Sequence, residues 1–292
     1  MKIFITGASG WIASAVIPEL LNAGHEVVGL ARSDEAAARV AAAGAEVRRG
    51  DLADTAGLAE AAVASDGVIH LGYHHDFSQM AEAAALDRAA IEAFGSALED
   101  TGKPLLFASG VLGVSTEDEQ PELGGHPRVG NALAAKALTD RGVRSVALRF
   151  APTVHGRGDY GFTAVLAQVA RERGVSAYVG DGTNVWPAVH RLDAGRLVAL
   201  ALDKAPAGSA VHAVAESGVP TKAIAEAIGH ALGLPVESVP AEKAAEHFGW
   251  IGMFFAGDFP VSSVQTRALL GWQPTGPTLV EDIEAGYYNT AG

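Results

Sequence analysis

MKIFITGASGWIA, residues Met1 to Ala13, is the stretch that decides the fold. Lys2 to Thr6 is a short β-branched and aromatic run, Gly7 and Gly10 follow it, and Trp11 to Leu21 carries apolar residues at helical spacing. A strand, a tight turn and a helix start, in that order, build an anion site. Gly7 can take backbone angles closed to other residues, Gly10 lets the main chain approach a pyrophosphate, and the small Ala13 lets the helix lie close on the strand. Free N–H groups and the dipole at the helix start then favour the phosphate charge. This glycine spacing at the first strand–helix junction predicts a nucleotide site.

Outward from that turn, strands and helices alternate. Strands are expected at His25–Ala31, Ala45–Arg49, Gly67–Leu71, Pro104–Ser109 and Val143–Arg149, with helices at Asp34–Ala43, Thr55–Ala64, Phe77–Glu99 and Arg128–Asp140. Nearly continuous apolar strands alternating with helices mean a parallel sheet covered on both faces. The predicted fold class is α/β, a doubly wound parallel sheet of the Rossmann type with ligand at the carboxyl ends of its strands. Beyond residue 150 the segments shorten and aromatic residues gather, which predicts a smaller α/β substrate lobe over residues 151–292, packed on a dinucleotide-binding domain of residues 1–150. Helices are expected there at Phe162–Arg173, Asp193–Asp203, Thr221–Leu232 and Thr278–Tyr288.

Composition narrows the partners. The 292 residues suffice for a large core, and 34 acids against 21 bases give a formal charge of −13, which argues against nucleic acid or an anionic membrane surface. Without cysteine there is no disulfide, thiolate nucleophile or thiolate metal site. Apolar runs break before bilayer-spanning length and the chain begins at once with a strand, so the expected compartment is the cytoplasm. His74, His75 and Asp76 are metal-ligand types, but adjacent residues do not converge on one ion, and no metal site is expected.

Six pieces, in order, resemble the extended short-chain dehydrogenase/reductases, also called the NAD-dependent epimerase/dehydratase family. They are TGASGWIA (Thr6–Ala13), RRGDLAD around Asp51, GVIHL (Gly67–Leu71), LLFASG (Leu105–Gly110), LRFAPTVHG (Leu148–Gly156) and AVHRLDAGR (Ala188–Arg196). The resemblance covers nearly the whole chain. It implies that Gly7, Ser9, Gly10, Trp11 and Ile12 line the pyrophosphate, that Asp51 and Leu52 contact adenine, and that Leu71, Gly72, Tyr73, Phe150, Pro152 and Val154 line the rest of the cofactor. It also implies that Trp186, Pro187, His190 and Asp193 join the two lobes.

The second strand bears on which nicotinamide cofactor fits. NAD sites place an acid there for the ribose 2′-hydroxyl, whereas this chain has Arg32 and Ser33, which suit a 2′-phosphate. NADP is therefore expected over NAD.

The catalytic pattern departs from the resemblance. The family's acid is the tyrosine of Tyr-x-x-x-Lys, and no tyrosine stands four residues before any lysine. In HPRVGNALAAK, Arg128 falls at the tyrosine position and Ala132 at the lysine position, while a second register uses Lys136 and puts Ala132 in the tyrosine's place. The candidates left for catalysis are Ser109, Arg128 and Tyr73. The tyrosine can donate a proton, and the arginine's donor fork can hold an oxyanion or a carboxylate. The aromatic segment from His247 to Phe259 reads equally as a closing loop or as core.

These features lead to an NADP(H)-dependent oxidoreductase acting on a carbonyl or activated double bond of a small, partly apolar molecule. Two alternatives stand beside it: an NADP(H)-binding sensor without turnover, and a nucleotide-sugar epimerase or dehydratase. The resemblance and the alanine-rich helices further suggest a homodimer.

Overall fold

The computed structural model describes residues 1–74, 79–122 and 127–289. The chain runs β1 (Lys2–Thr6), α1 (Ala13–Asn22), β2 (Glu26–Ala31), α2 (Asp34–Ala42), β3 (Glu46–Arg49), α3 (Thr55–Val63), β4 (Gly67–His70), α4 (Met80–Leu98), β5 (Pro104–Gly110), α5 (Pro127–Ala137) and β6 (Arg144–Phe150). Then follow β7 (Thr153–His155), α6 (Phe162–Arg173), β8 (Ser176–Val179), β9 (Val185–His190), α7 (Arg191–Lys204), β10 (Ala210–Ala213), β11 (Glu216–Pro220), α8 (Thr221–Leu232) and β12 (Val236–Val239). Four short helices close it: α9 (Ala244–Phe248), α10 (Gly252–Phe255), α11 (Val264–Leu270) and α12 (Leu279–Glu284).

Seven strands form one parallel sheet in the order β10-β6-β5-β4-β1-β2-β3. All four residues of β4 and the last four of β1 are buried, because helices cover both faces. From β1 the order runs outward through β2 and β3, and on the other side through β4, β5 and β6. The switch point thus lies between the carboxyl ends of β1 and β4, where a doubly wound sheet opens a crevice.

The sheet does not divide the chain at residue 150. β10 pairs with β6 and covers that edge, and α7 packs on α1 so closely that a Cβ on Gly195 would stand 2.7 Å from the Ala15 carbonyl oxygen. Trp272 joins the same core and donates its indole N–H to the Asp193 carbonyl at 3.0 Å. Residues 191–213 and the chain around Trp272 therefore complete the large lobe, and the expected substrate lobe of 151–292 is smaller than its span.

What remains of that lobe has two small sheets, β11-β9-β7 and β12-β8, around a core that includes Leu166, Trp186, Ile228, Phe248, Phe255 and Ile283. The expected helix from Phe77 begins at Met80, its first residues lying outside the described ones. The helix expected to reach Tyr288 ends at Glu284. Among the described residues no helix is long and apolar enough to cross a membrane, and no group of three or more His, Asp or Glu side chains could hold a metal ion. Of the three metal-ligand types, His75 and Asp76 lie outside the described residues.

Candidate functional site

The glycine turn sits at the switch point. Gly7 has φ of +66°, and a Cβ there would stand 2.7 Å from the Gly72 amide nitrogen, so both the backbone and the neighbouring strand end demand glycine. Gly10 closes the turn with its N–H on the Gly7 carbonyl at 2.9 Å. The helix behind it has Ile12 at its N-cap position and no side-chain cap, so no side chain of the protein occupies the helix start. Gly7, Ser9, Gly10, Trp11 and Ile12 are all half-buried, as residues lining a groove are. The turn and its open helix start thus fit a dinucleotide's pyrophosphate.

Trp11 has a second task that its sequence position does not reveal. Its indole N–H donates to the Val154 carbonyl at 2.7 Å, and the Arg191 guanidinium lies 4.3 Å from the ring centre. The side chain fastens the turn to the segment Phe150–Val154, where Phe150 is buried and Pro152 and Val154 are half-buried.

At the end of β2, Arg32 and Ser33 are exposed. The Ser33 hydroxyl accepts the Ala36 N–H at 3.1 Å and starts α2, which leaves its own hydrogen available. A second guanidinium stands there too. Arg49, at the end of β3, donates to the Ser33 carbonyl at 2.6 Å and pairs with Asp34 at 2.8 Å. The signal for Arg49 was its place as the last residue of a strand in register with Ala31. Where the resemblance places adenine, Asp51 accepts the Ala53 N–H at 2.9 Å, and Leu52 lies against Gly72, 3.2 Å from where a Cβ would be. Leu71 is half-buried against the main core.

Tyr73 and Arg128 come together. The guanidinium carbon lies 4.1 Å from the centre of the phenol ring, and Nη2 donates to the Ala108 carbonyl at 3.3 Å, one residue before Ser109. Ser109 is half-buried near the end of β5 and in register with the buried Arg149 of β6. Burial raises the Tyr73 pKa and Asp87 adds to the rise, against the opposing pull of Arg128, so the phenol keeps its proton at neutral pH. Burial lowers the Arg128 pKa, and the Asp87 charge opposes that fall. The pair is a neutral hydroxyl donor beside a cationic donor fork.

Behind this pair runs a buried polar chain. Gly72 N–H meets Thr6 Oγ1 at 3.1 Å, Thr6 Oγ1 lies 2.6 Å from His70 Nδ1, His70 Nε2 lies 3.1 Å from Asp87 Oδ1, and Asn131 Nδ2 donates to Asp87 Oδ2 at 2.7 Å. Burial works to raise the Asp87 pKa, but hydrogen bonds from His70 and Asn131 and the charges of His70 and Arg128 bring it below the usual carboxylate range. An ionised carboxylate only accepts, so the His70 Nε2 hydrogen points to Asp87, while His70 Nδ1 and Thr6 Oγ1 share the next hydrogen bond and Thr6 Oγ1 accepts from Gly72. Sequence reasoning named Gly72 but missed Thr6, His70, Asp87 and Asn131 as site residues. Asp87 shares one helix face with Ala83, Ala84, Ala90, Ile91 and Phe94, and a lone acid on such a stripe was the available signal.

The other segments singled out have structural partners. Trp186 is buried and donates to the Phe254 carbonyl at 3.2 Å, and His190 Nδ1 accepts the Leu192 N–H at 3.3 Å at the start of α7. Asp193 accepts the N–H groups of Thr275 and Gly276 at 3.0 and 2.8 Å and pairs with Arg196. The segment His247–Phe259 folds into short helices rather than a loop. Phe248, Ile251 and Phe255 are core, while Trp250 and Met253 remain exposed.

This fold, with a glycine turn at its switch point, defines the doubly wound dinucleotide-binding class. Residues 3–214 match the NAD dependent epimerase/dehydratase family, and the chain belongs to it. It is 47% identical to an uncharacterized protein of Schizosaccharomyces pombe, covering 99% of this chain and 100% of that one. A second uncharacterized protein, from Saccharomyces cerevisiae, is 45% identical over 98% and 99% of the two chains. Among solved structures, the dTDP-glucose 4,6-dehydratase DesIV of Streptomyces venezuelae, with NAD and TYD bound, is similar at TM-score 0.74 and 19% identity, covering 98% of this chain and 96% of that one. A UDP-glucose 4-epimerase of Thermus thermophilus in complex with NAD gives 0.73 and 20%, covering 99% and 98%.

Proposed function

We propose that the protein is an NADP(H)-dependent oxidoreductase of the cytoplasm that reduces a carbonyl or activated double bond in a small, partly apolar molecule. The observation that carries this reading is the Tyr73–Arg128 donor pair beside an open glycine turn at the switch point. When bound, a nicotinamide cofactor supplies or takes up the hydride. The turn from Gly7 to Ile12 would hold its pyrophosphate. Arg32, Ser33 and Arg49 would hold a 2′-phosphate, and Asp51, Leu52, Leu71 and Gly72 its adenine side. Arg128 and Tyr73, with Ser109 next to the carbonyl that anchors Arg128, hold the negative charge that develops on the substrate oxygen. Tyr73 is the proton donor that the chemistry of the site favours, since its phenol stays protonated at neutral pH.

Calorimetry with NADPH and NADH, followed by nicotinamide absorbance over a panel of carbonyl and enone substrates, tests the reading. Binding of NADPH with turnover supports it. Binding without turnover favours a sensor, a reading suggested by arginine standing at the family's tyrosine position. Turnover of UDP- or dTDP-sugars without net redox change favours an epimerase or dehydratase, the activities named for the two similar solved structures. A homodimer is part of the proposal, through the alanine-rich α4 and α5, and light scattering tests it.

A further inference from the structure

Asp87 is buried, yet its pKa lies below the usual carboxylate range, and an ionised carboxylate inside a protein is strongly unfavourable unless its surroundings compensate it. Three groups do so here. His70 gives an N–H from β4, Asn131 gives an N–H from α5, and the Arg128 charge reaches it from the same helix. Arg128 and Asn131 are three residues apart on α5, hence on one face, and that face addresses α4 through Asp87. The Asn131 amide is pinned twice, to Asp87 Oδ2 and to the Ala84 carbonyl, both at 2.7 Å. The two Asn131 bonds fix α5 against α4, and with it the backbone from which Arg128 reaches Tyr73 and the Ala108 carbonyl.

We infer that Asp87 is the positioning residue of the site: from beneath α5 it fixes the charged Arg128 against Tyr73, and through His70 and Thr6 it ties that donor pair to the turn suited to a cofactor. The inference rests on the oxidoreductase reading for its catalytic consequence. Its physical content, that Asp87 holds Arg128, stands apart from turnover.

A double-mutant cycle on the full chain separates the two. Asp87→Asn keeps an oxygen for the His70 N–H but removes the charge and the oxygen that accepts from Asn131, and Arg128→Gln removes the charged partner. Each single variant should lower the folded-to-unfolded ratio, and the double variant should fall short of the product of the two by about tenfold or more. With a substrate found in the panel, Asp87→Asn should lower kcat by roughly thirtyfold while NADPH affinity stays within about threefold, and should add little once Arg128 is Gln. A purely structural role would lower stability and affinity together in either background.

Additive effects on unfolding overturn the inference whatever the turnover. Full turnover by folded Asp87→Asn overturns it while leaving the reductase reading intact. A wild-type protein that binds NADPH and reduces nothing refutes the reductase reading instead, and the unfolding cycle still decides whether Asp87 holds Arg128. Should Asp87→Asn not fold, Asn131→Ala takes its place in the cycle with the same expected coupling to Arg128.

Discussion

The two halves of the crevice are made of different material. On the α1 side, the turn from Gly7 to Ile12 presents main chain, and its chemistry comes from glycine geometry and an uncapped helix start. On the α5 side, Tyr73 and Arg128 present side chains whose placement depends on Asp87, Asn131, His70 and Thr6, drawn from β1, β4, α4 and α5. A main-chain site is encoded within a dozen consecutive residues. A side-chain site of this kind is spread over more than a hundred, and each half should therefore break in its own way.

The largest effect is expected from Gly10→Asp. A Cβ there would be 3.0 Å from the Gly7 carbonyl oxygen, a contact that small shifts relieve, so the protein should fold. A carboxylate beside the pyrophosphate position should nevertheless lower NADPH affinity by on the order of a thousandfold through bulk and like charge. Calorimetry on the folded variant checks it; unchanged affinity would remove the turn from the site.

On the other half, Arg128→Ala should lower turnover by on the order of a hundredfold and leave NADPH affinity nearly intact, because the donor fork acts on the substrate oxygen and not on the cofactor. Single-turnover hydride transfer is the measurement. Loss of cofactor affinity instead would show that the two halves are not separable in the way their construction implies.

That construction also explains what is legible in the sequence. The strand–turn–helix at residues 1–13 and the alternation behind it point to the parallel sheet, because strand apolarity and glycine spacing are local signals. Residues 191–213 read as part of the smaller lobe and belong to the larger, since nothing local announces that β10 will add to β6 across the 59 residues between them. Tyr73 and Arg128 stand out, but Asp87 looks like one more surface acid in the alanine-rich run AEAAALDRAAIEAF. Only the three-dimensional packing of α4 on α5 and β4 shows that it is buried and charged at once. Arg49 escapes notice for the same reason: its neighbour Ser33 is 16 residues away along the chain and 2.6 Å away in space.

Cofactor preference sharpens the main-chain half at its outer edge. Arg32→Ala should cost NADPH roughly 1.5–3 kcal/mol, the range for hydrogen bonds to charged groups, with little change for NADH. Arg49→Ala should act in the same direction and less strongly, because Asp34 already engages that guanidinium. Equal losses for both cofactors in calorimetry would refute the assignment of a 2′-phosphate to this edge.

The smallest effect is expected where the halves meet. Thr6 is the last residue of β1, directly before Gly7, and it is also the first link of the chain to Asp87. Thr6→Val keeps the shape and removes the hydroxyl, so the Gly72 N–H loses its acceptor and His70 Nδ1 its hydrogen-bond partner, both in buried surroundings. Leaving buried polar groups unpaired should cost about 1–3 kcal/mol in chemical unfolding. If the halves are joined through this residue, NADPH affinity and turnover both decline severalfold in the same variant, whereas Gly10→Asp acts on binding and Arg128→Ala on chemistry. A stability loss with affinity and turnover untouched would mean that Thr6 serves the fold alone, and that main-chain and side-chain halves work side by side without a connection.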